Sequence, residues 1–276
     1  MLIRTVKILA AAALFSANCL AAGQSIERDI PYTHSPDEYA AQRCKLDVKY
    51  DKGQSGKRVL VWFHGGGITS GNKHFPKNVS NDFVIVAANY RLSPKSDAKN
   101  AIDDAADAIA WTFKNIEKFG GDPKKIFISG HSAGAYLCGM VAFNPRYLKE
   151  RGIKNTDIAG TILVSGQTTT HFRVRADSGD KTSSLKPKID EFAILGNLDN
   201  PIPPLCIVLG DRKIEFPERV EENLLLAAAV KKLKLTDTVE LYELQGLDHV
   251  QVANPAGFII DRFSKKISEK SKYNFF

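Results

Sequence analysis

Residues 126–135 read IFISGHSAGA: a short apolar run, a G-x-S-x-G turn, then the helix-forming stretch AYLCGMVAF (135–143). A strand that breaks sharply into a helix lifts the serine between them, Ser132, above the strand end and presents its hydroxyl. Gly130 and Gly134 remove side chains that would collide inside so tight a turn. Ala133 opens the helix, and its N–H points where negative charge would develop during attack by Ser132. A glycine-rich turn without chemistry would look similar alone; the position between strand and helix favours a nucleophile.

The alternation continues outward. RVLVWFH (58–64) and FVIVAANY (83–90) are unbroken apolar runs, as in strands buried on both faces. Residues 101–119 place Ala101, Ala105, Ala108, Ile109, Phe113 and Ile116 on one helical stripe, stopped by Gly120-Gly121-Asp122-Pro123. Beyond the serine, strands are expected at 158–165, 204–210 and 239–244, and helices at 220–233 and 255–267. RCKLDVKY (43–50) alternates with period two and reads as a half-exposed edge strand. Strands alternating with helices predict an α/β fold with a mostly parallel sheet covered on both faces. Residues 166–200 break the rhythm, and so long a polar connection reads as a lid or short cap insert.

His64-Gly65-Gly66-Gly67 ends the strand at 58–64, and consecutive glycines let backbone N–H groups approach a ligand. Gly66 and Gly67 are therefore candidate donors beside Ala133. A serine nucleophile needs a base. Of His34, His64, His74, His131, His171 and His249, only His249 follows the last expected strand, in a loop able to reach back over the sheet. His131 is expected to pack beside the serine turn, and the remaining four to lie at the surface or in loops. The acid should follow the strand at 204–210. Asp211 is the first carboxylate there; Glu215 is the alternative, with Asp248 behind both.

Together HGGG (64–67), NYRLSP (89–94), FGGDP (119–123), GHSAGA (130–135), GDR (210–212) and GLDH (246–249) resemble the hormone-sensitive-lipase-like esterases of the α/β-hydrolase fold. The resemblance runs from about Arg58 to the C-terminal helix. It implies Ser132 as nucleophile, His249 as base, and Gly66, Gly67 and Ala133 as oxyanion donors, with no metal or organic cofactor. Arg91 is expected to pair with Asp103 or Asp104. Two features depart from the family. Its acid stands three residues after the glycine that ends the strand, and that position, counted from Gly210, is Lys213. The long N-terminal cap is also missing, which favours small acyl or aryl esters over long lipid chains. An amidase or arylformamidase on the same fold, or an exported binding protein that lost its triad, are the rival readings.

The 276 residues are 43% hydrophobic and 25% charged, which excludes a disordered chain, a collagen-like repeat and a disulfide-dense mini-protein. Residues 1–22 have the layout of a signal peptide: Arg4 and Lys7, an apolar run from Ile8 to Phe15, then Ala21 and Ala22. That run is too short to span a bilayer. Residues 23–276 are then one exported domain with no integral membrane segment. The net charge of +7 raises the question of nucleic acid, but no basic stripe interleaves with aromatics, so none is expected as a partner. Lys265, Lys266, Lys270 and Lys272 read as a solvated helix surface. The expected partner is a small-molecule or oligosaccharide ester. Cys138 and Cys206 sit in apolar runs as buried hydrophobes, and no Cys/His spacing suggests a metal.

Overall fold

The apolar runs become the strands of one nine-stranded sheet in a computed structural model that describes residues 4–6, 23–33, 35–182 and 186–273. The strands are β1 (Arg4–Val6), β2 (Gln24–Pro31), β3 (Lys45–Asp51), β4 (Lys57–Phe63), β5 (Phe83–Ala88), β6 (Gly121–His131), β7 (Gly160–Val164), β8 (Leu205–Leu209) and β9 (Val239–Leu244). Their order is β1-β9-β8-β7-β6-β4-β5-β3-β2, antiparallel only where β3 meets β2 and β5. Of the expected signal peptide, the structure describes only the backbone of β1, which pairs with β9; the remainder, Cys19 included, lies outside the described residues.

Alternation along each central strand feeds two cores. Val59, Val61 and Phe63 of β4 face one side, where α2 (Asn100–Asn115), α3 (Ala133–Phe143) and α6 (Pro217–Leu233) pack. Leu60 and Trp62 face the other, where Ile259, Ile260 and Phe263 of α7 (Ala256–Tyr273) close the layer. Every residue of α3 is buried, which accounts for its lack of a polar face. The short helices α1 (Glu38–Arg43) and α4 (Arg146–Lys149) cover the first core through Ala40, Tyr147 and Leu148. Cys44, Cys138 and Cys206 are buried free thiols. No helix among the described residues is long and apolar enough to cross a membrane.

Two expectations change. β3 is not an edge strand: β2, which has no clear signal in the sequence, lies outside it. The polar residue that suggested an edge, Asp47, is instead buried and paired with Lys73 at 2.6 Å and Arg28 at 3.2 Å. The segment 166–200 is less open than its composition implies. It holds α5 (Phe172–Asp177), and Thr168, Thr169 and Thr170 are buried, bonded to Glu222 and Asp190. Arg91 forks onto Asp104, not Asp103, with bonds of 2.7–3.1 Å, and also reaches Asp37.

The chain builds β5 on one side of β4 and β6 on the other. That reversal opens a crevice at the carboxyl ends of β4 and β6, where ligands bind in open α/β sheets. Phe63 is in register with Gly130, so the HGGG loop and the serine turn emerge side by side although Ser132 comes 65 positions after Gly67.

Candidate active site

Ser132 has φ 54° and ψ −116°, a conformation costly for a residue with a side chain and held by its surroundings. Its N–H donates to the Val164 carbonyl at 2.9 Å. The glycines beside it make close approach possible. A Cβ on Gly134 would stand 2.1 Å from the Phe63 carbonyl oxygen, and one on Gly130 would stand 2.5 Å from the Gly134 backbone. The start of α3 is thus pressed onto the end of β4.

His249 lies after β9, with Nε2 2.9 Å from Ser132 Oγ and Nδ1 2.8 Å from Glu215 Oε1. Ser165, also left-handed at φ 49°, directly follows β7; its hydroxyl donates to Glu215 Oε2 at 2.5 Å and lies 3.1 Å from His249 Nδ1. The Phe216 N–H donates to Glu215 Oε1 at 2.9 Å. Burial pushes the Glu215 carboxyl up. The bonds from His249, Ser165 and Phe216 outweigh it and hold the group below the usual carboxylate range. An ionised Glu215 fixes the proton on His249 Nδ1, leaving Nε2 free to accept from Ser132.

The expectation for Asp211 is corrected. Its carboxylate accepts from the Lys213 N–H at 3.0 Å and the Gly246 N–H at 2.8 Å, which makes it a turn residue. The Ile214 and Glu215 N–H groups bond the Asp211 carbonyl, so one helical turn follows β8 and carries Glu215 inward. Gly210 gives it room: a Cβ there would meet Glu215 Oε2 at 3.1 Å. Lys213 is exposed on the outside of that turn. Asp248 caps its own loop through the Val250 and Gln251 N–H groups.

Gly66 and Gly67 have φ of 107° and 62°. The Gly66 carbonyl accepts from the Thr69 and Ser70 N–H groups and curls the loop, and a Cβ on Gly65 would lie 3.4 Å from Ser132 Cβ. The glycine loop therefore lies against the serine. Ala133 begins α3, where a first-turn N–H has no intrahelical partner.

His131 packs beside the turn as expected, its Nε2 2.6 Å from the His249 carbonyl, so it donates there and fixes the base's backbone. Burial lowers it to about 4, so it is neutral in this role. His64 and His171 lie in loops, as expected of residues placed at the surface or in loops, and both are buried. His64 stacks on Tyr90, with centroids 4.4 Å apart, and burial lowers it to about 4. His171 caps α5 and is lowered to about 3. His34 lies outside the described residues.

A cavity of about 550 Å³ adjoins the site. Phe172 and Phe216 flank it: Phe172 reaches 3.0 Å from where a Gly67 Cβ would stand, and the Phe216 ring is 4.6 Å from the His249 ring. Ile189 and Leu195 come from the insert, Leu225 from α6. Among the described residues, no three His, Cys, Asp or Glu side chains are grouped to hold a metal ion.

These features define an α/β-hydrolase fold, and the sequence profile described as "alpha/beta hydrolase fold" matches residues 60–195. The chain is 36% identical over 136 residues to a phenmedipham hydrolase of Pseudarthrobacter oxydans, a match covering 44% of this chain and 28% of that relative. The crystal structure of esterase B from Lactobacillus rhamnosus superposes with a TM-score of 0.71 at 17% identity, covering 90% of this chain and 87% of that one. A truncated carbohydrate esterase from gut microbiota gives 0.70 at 14%, covering 89% and 96%. The chain thus spans under a third of that curated relative's length, and the structural neighbours share the fold.

Proposed function

We propose that this chain is an exported serine carboxylesterase acting on short acyl or aryl esters through an acyl-enzyme. The observation that carries the reading is the hydrogen-bonded chain Ser132–His249–Glu215, with spacings of 2.9 and 2.8 Å. His249 takes the Ser132 proton as Oγ attacks the ester carbonyl, and ionised Glu215 stabilises the imidazolium that forms. The N–H groups of Gly66, Gly67 and Ala133 hold the tetrahedral oxyanion. His249 then protonates the departing alcohol, and water, deprotonated by the same imidazole, releases the acid. The 550 Å³ cavity suits a group of moderate size. Acylated oligosaccharides belong to the proposed class because an exported enzyme meets them outside the cell.

Hydrolysis of p-nitrophenyl esters of increasing chain length tests this, with an N-formyl arylamine as the amide arm. Wild type should turn over the short esters and label with a fluorophosphonate, and Ser132→Ala should do neither. Equal labelling of the two proteins would end the serine-nucleophile reading, and preference for the formamide would make it an amidase. Export predicts that the mature protein recovered outside the cytoplasm lacks about the first 22 residues, read by intact mass.

A further inference from the structure

The wall of the cavity beside the triad carries one guanidinium, that of Arg219, four residues and one helical turn after Glu215. The Arg219 side chain is 8% exposed. Its sole hydrogen bond among the described residues runs from Nη1 to Glu222 Oε1 at 2.8 Å, and its buried Nε has no partner. Glu222 is itself engaged by the Thr169 N–H and hydroxyl, at 3.2 and 2.8 Å, so it cannot swing to cover Nε. A buried donor without an acceptor is costly.

The surroundings restrict what could arrive. Phe172, Phe216, Ile189 and Leu225 make the other walls apolar and are each 42–55% exposed, as in a cavity that waits for apolar surface. The charge is not that of an anion site. Glu222 already neutralises Arg219, and Glu218 and Glu221 stand on the same wall. One cation against three carboxylates repels a carboxylate ligand. An uncharged oxygen satisfies the guanidinium without that repulsion.

We propose that Arg219 is a specificity-determining residue that selects esters whose acyl or alcohol portion is apolar and ends in an uncharged hydrogen-bond acceptor, such as a ketone or ether oxygen. The proposal rests on the esterase reading of the adjacent triad. The apolar part fills the space between Phe172 and Phe216, and the acceptor oxygen takes a hydrogen bond from the guanidinium. An ester lacking the oxygen leaves that donor unpaired. Selection then follows the stronger penalty against a missing polar group than against a missing methylene.

Binding to Ser132→Ala, by calorimetry, reads the proposal without turnover. Phenyl pentanoate against phenyl 4-oxopentanoate probes the acyl side, and phenyl acetate against 4-acetylphenyl acetate the alcohol side. The acceptor-bearing ester of at least one pair should bind about tenfold more tightly. Phenyl hydrogen succinate should bind no better than phenyl pentanoate. In Ser132→Ala/Arg219→Lys, which keeps a cation for Glu222 but loses the planar fork, the tenfold ratio should fall to about one. No difference in either pair overturns the proposal. So does a difference that survives Arg219→Lys, or a succinate ester that binds best. Hydrolysis of the same compounds by wild type reports separately on the triad.

Discussion

Ser165 and Glu215 are joined by a 2.5 Å hydrogen bond beneath the base, and the same hydroxyl stands 3.1 Å from His249 Nδ1. The hydroxyl has one proton, which goes to Glu215 Oε2, so toward His249 it can only accept. Ser165 thus touches both partners of the Nδ1–H···carboxylate bond, from a fully buried, left-handed position directly after β7.

Ser165→Ala should therefore weaken positioning of the base without touching substrate. A carboxylate oxygen loses its donor in a buried setting, at a cost of about 1–3 kcal/mol. Removing a bond that lowers the Glu215 pKa lets it rise, so protonation of Glu215 on acidification begins at higher pH. The expected result is a roughly tenfold lower kcat with KM little changed, and an acid limb of the kcat profile moved upward. An unchanged pH profile would reduce Ser165 to packing.

Glu215→Gln and Asp211→Asn separate the two carboxylates after β8. A glutamine keeps the size but forfeits the charge that stabilises the His249 imidazolium, at a loss of about 10⁴ in kcat. Asp211 holds a turn through the Lys213 and Gly246 N–H groups, so its asparagine should keep kcat within about threefold. Stopped assays with an activated ester decide it, and the reverse pattern would restore Asp211 as the acid.

The contrast between these two residues shows what the sequence could and could not disclose. The strands were legible because burial on both faces demands unbroken apolar runs, and Ser132 because strand, glycine turn and helix are contiguous. His249 followed from chain order. Glu215 could not be read by counting from Gly210, because the helical turn after β8 advances the carboxylate past the position where Lys213 stands. The signal present was Gly210 itself, whose missing Cβ leaves room for Glu215 to fold back. β2 was hidden by its mostly polar and exposed residues, and Arg219 by the absence of any local pattern that marks a buried guanidinium.

The serine turn predicts an asymmetry between glycines. Gly134→Ala would drive a methyl to 2.1 Å from the Phe63 carbonyl oxygen, and backbone there cannot yield without shifting the nucleophile. The expected cost is about 1–3 kcal/mol with activity largely lost. Gly139→Ala meets Ile194 Cδ1 at the same 2.1 Å, but that is the end of a flexible side chain. It should cost less and leave kcat near wild type. Urea unfolding midpoints with ester turnover compare them, and equal losses of activity would refute the argument.

Three imidazoles, those of buried His64 and His171 and of half-buried His131, contribute to the acid stability. His64, His131 and His171 lie at about 4, 4 and 3, against an ordinary value near 6.5. Burial comes first in each case, and for His171 the Arg219 charge adds to it. Between pH 6.5 and about 4 the unfolded chain therefore binds protons that the folded chain refuses. Stability is complete above 6.5 and falls as pH drops through this window. Each imidazole should account for about 2 kcal/mol lost between pH 7 and pH 5. His171 Nδ1 accepts the Arg173 N–H at the start of α5, a capping task that an asparagine oxygen can also perform. His171→Asn should thus lose about 2 kcal/mol less than wild type between pH 7 and pH 5. Urea titrations at the two pH values measure the difference, and parallel losses in the two proteins would show that folded His171 binds its proton as readily as the unfolded chain does.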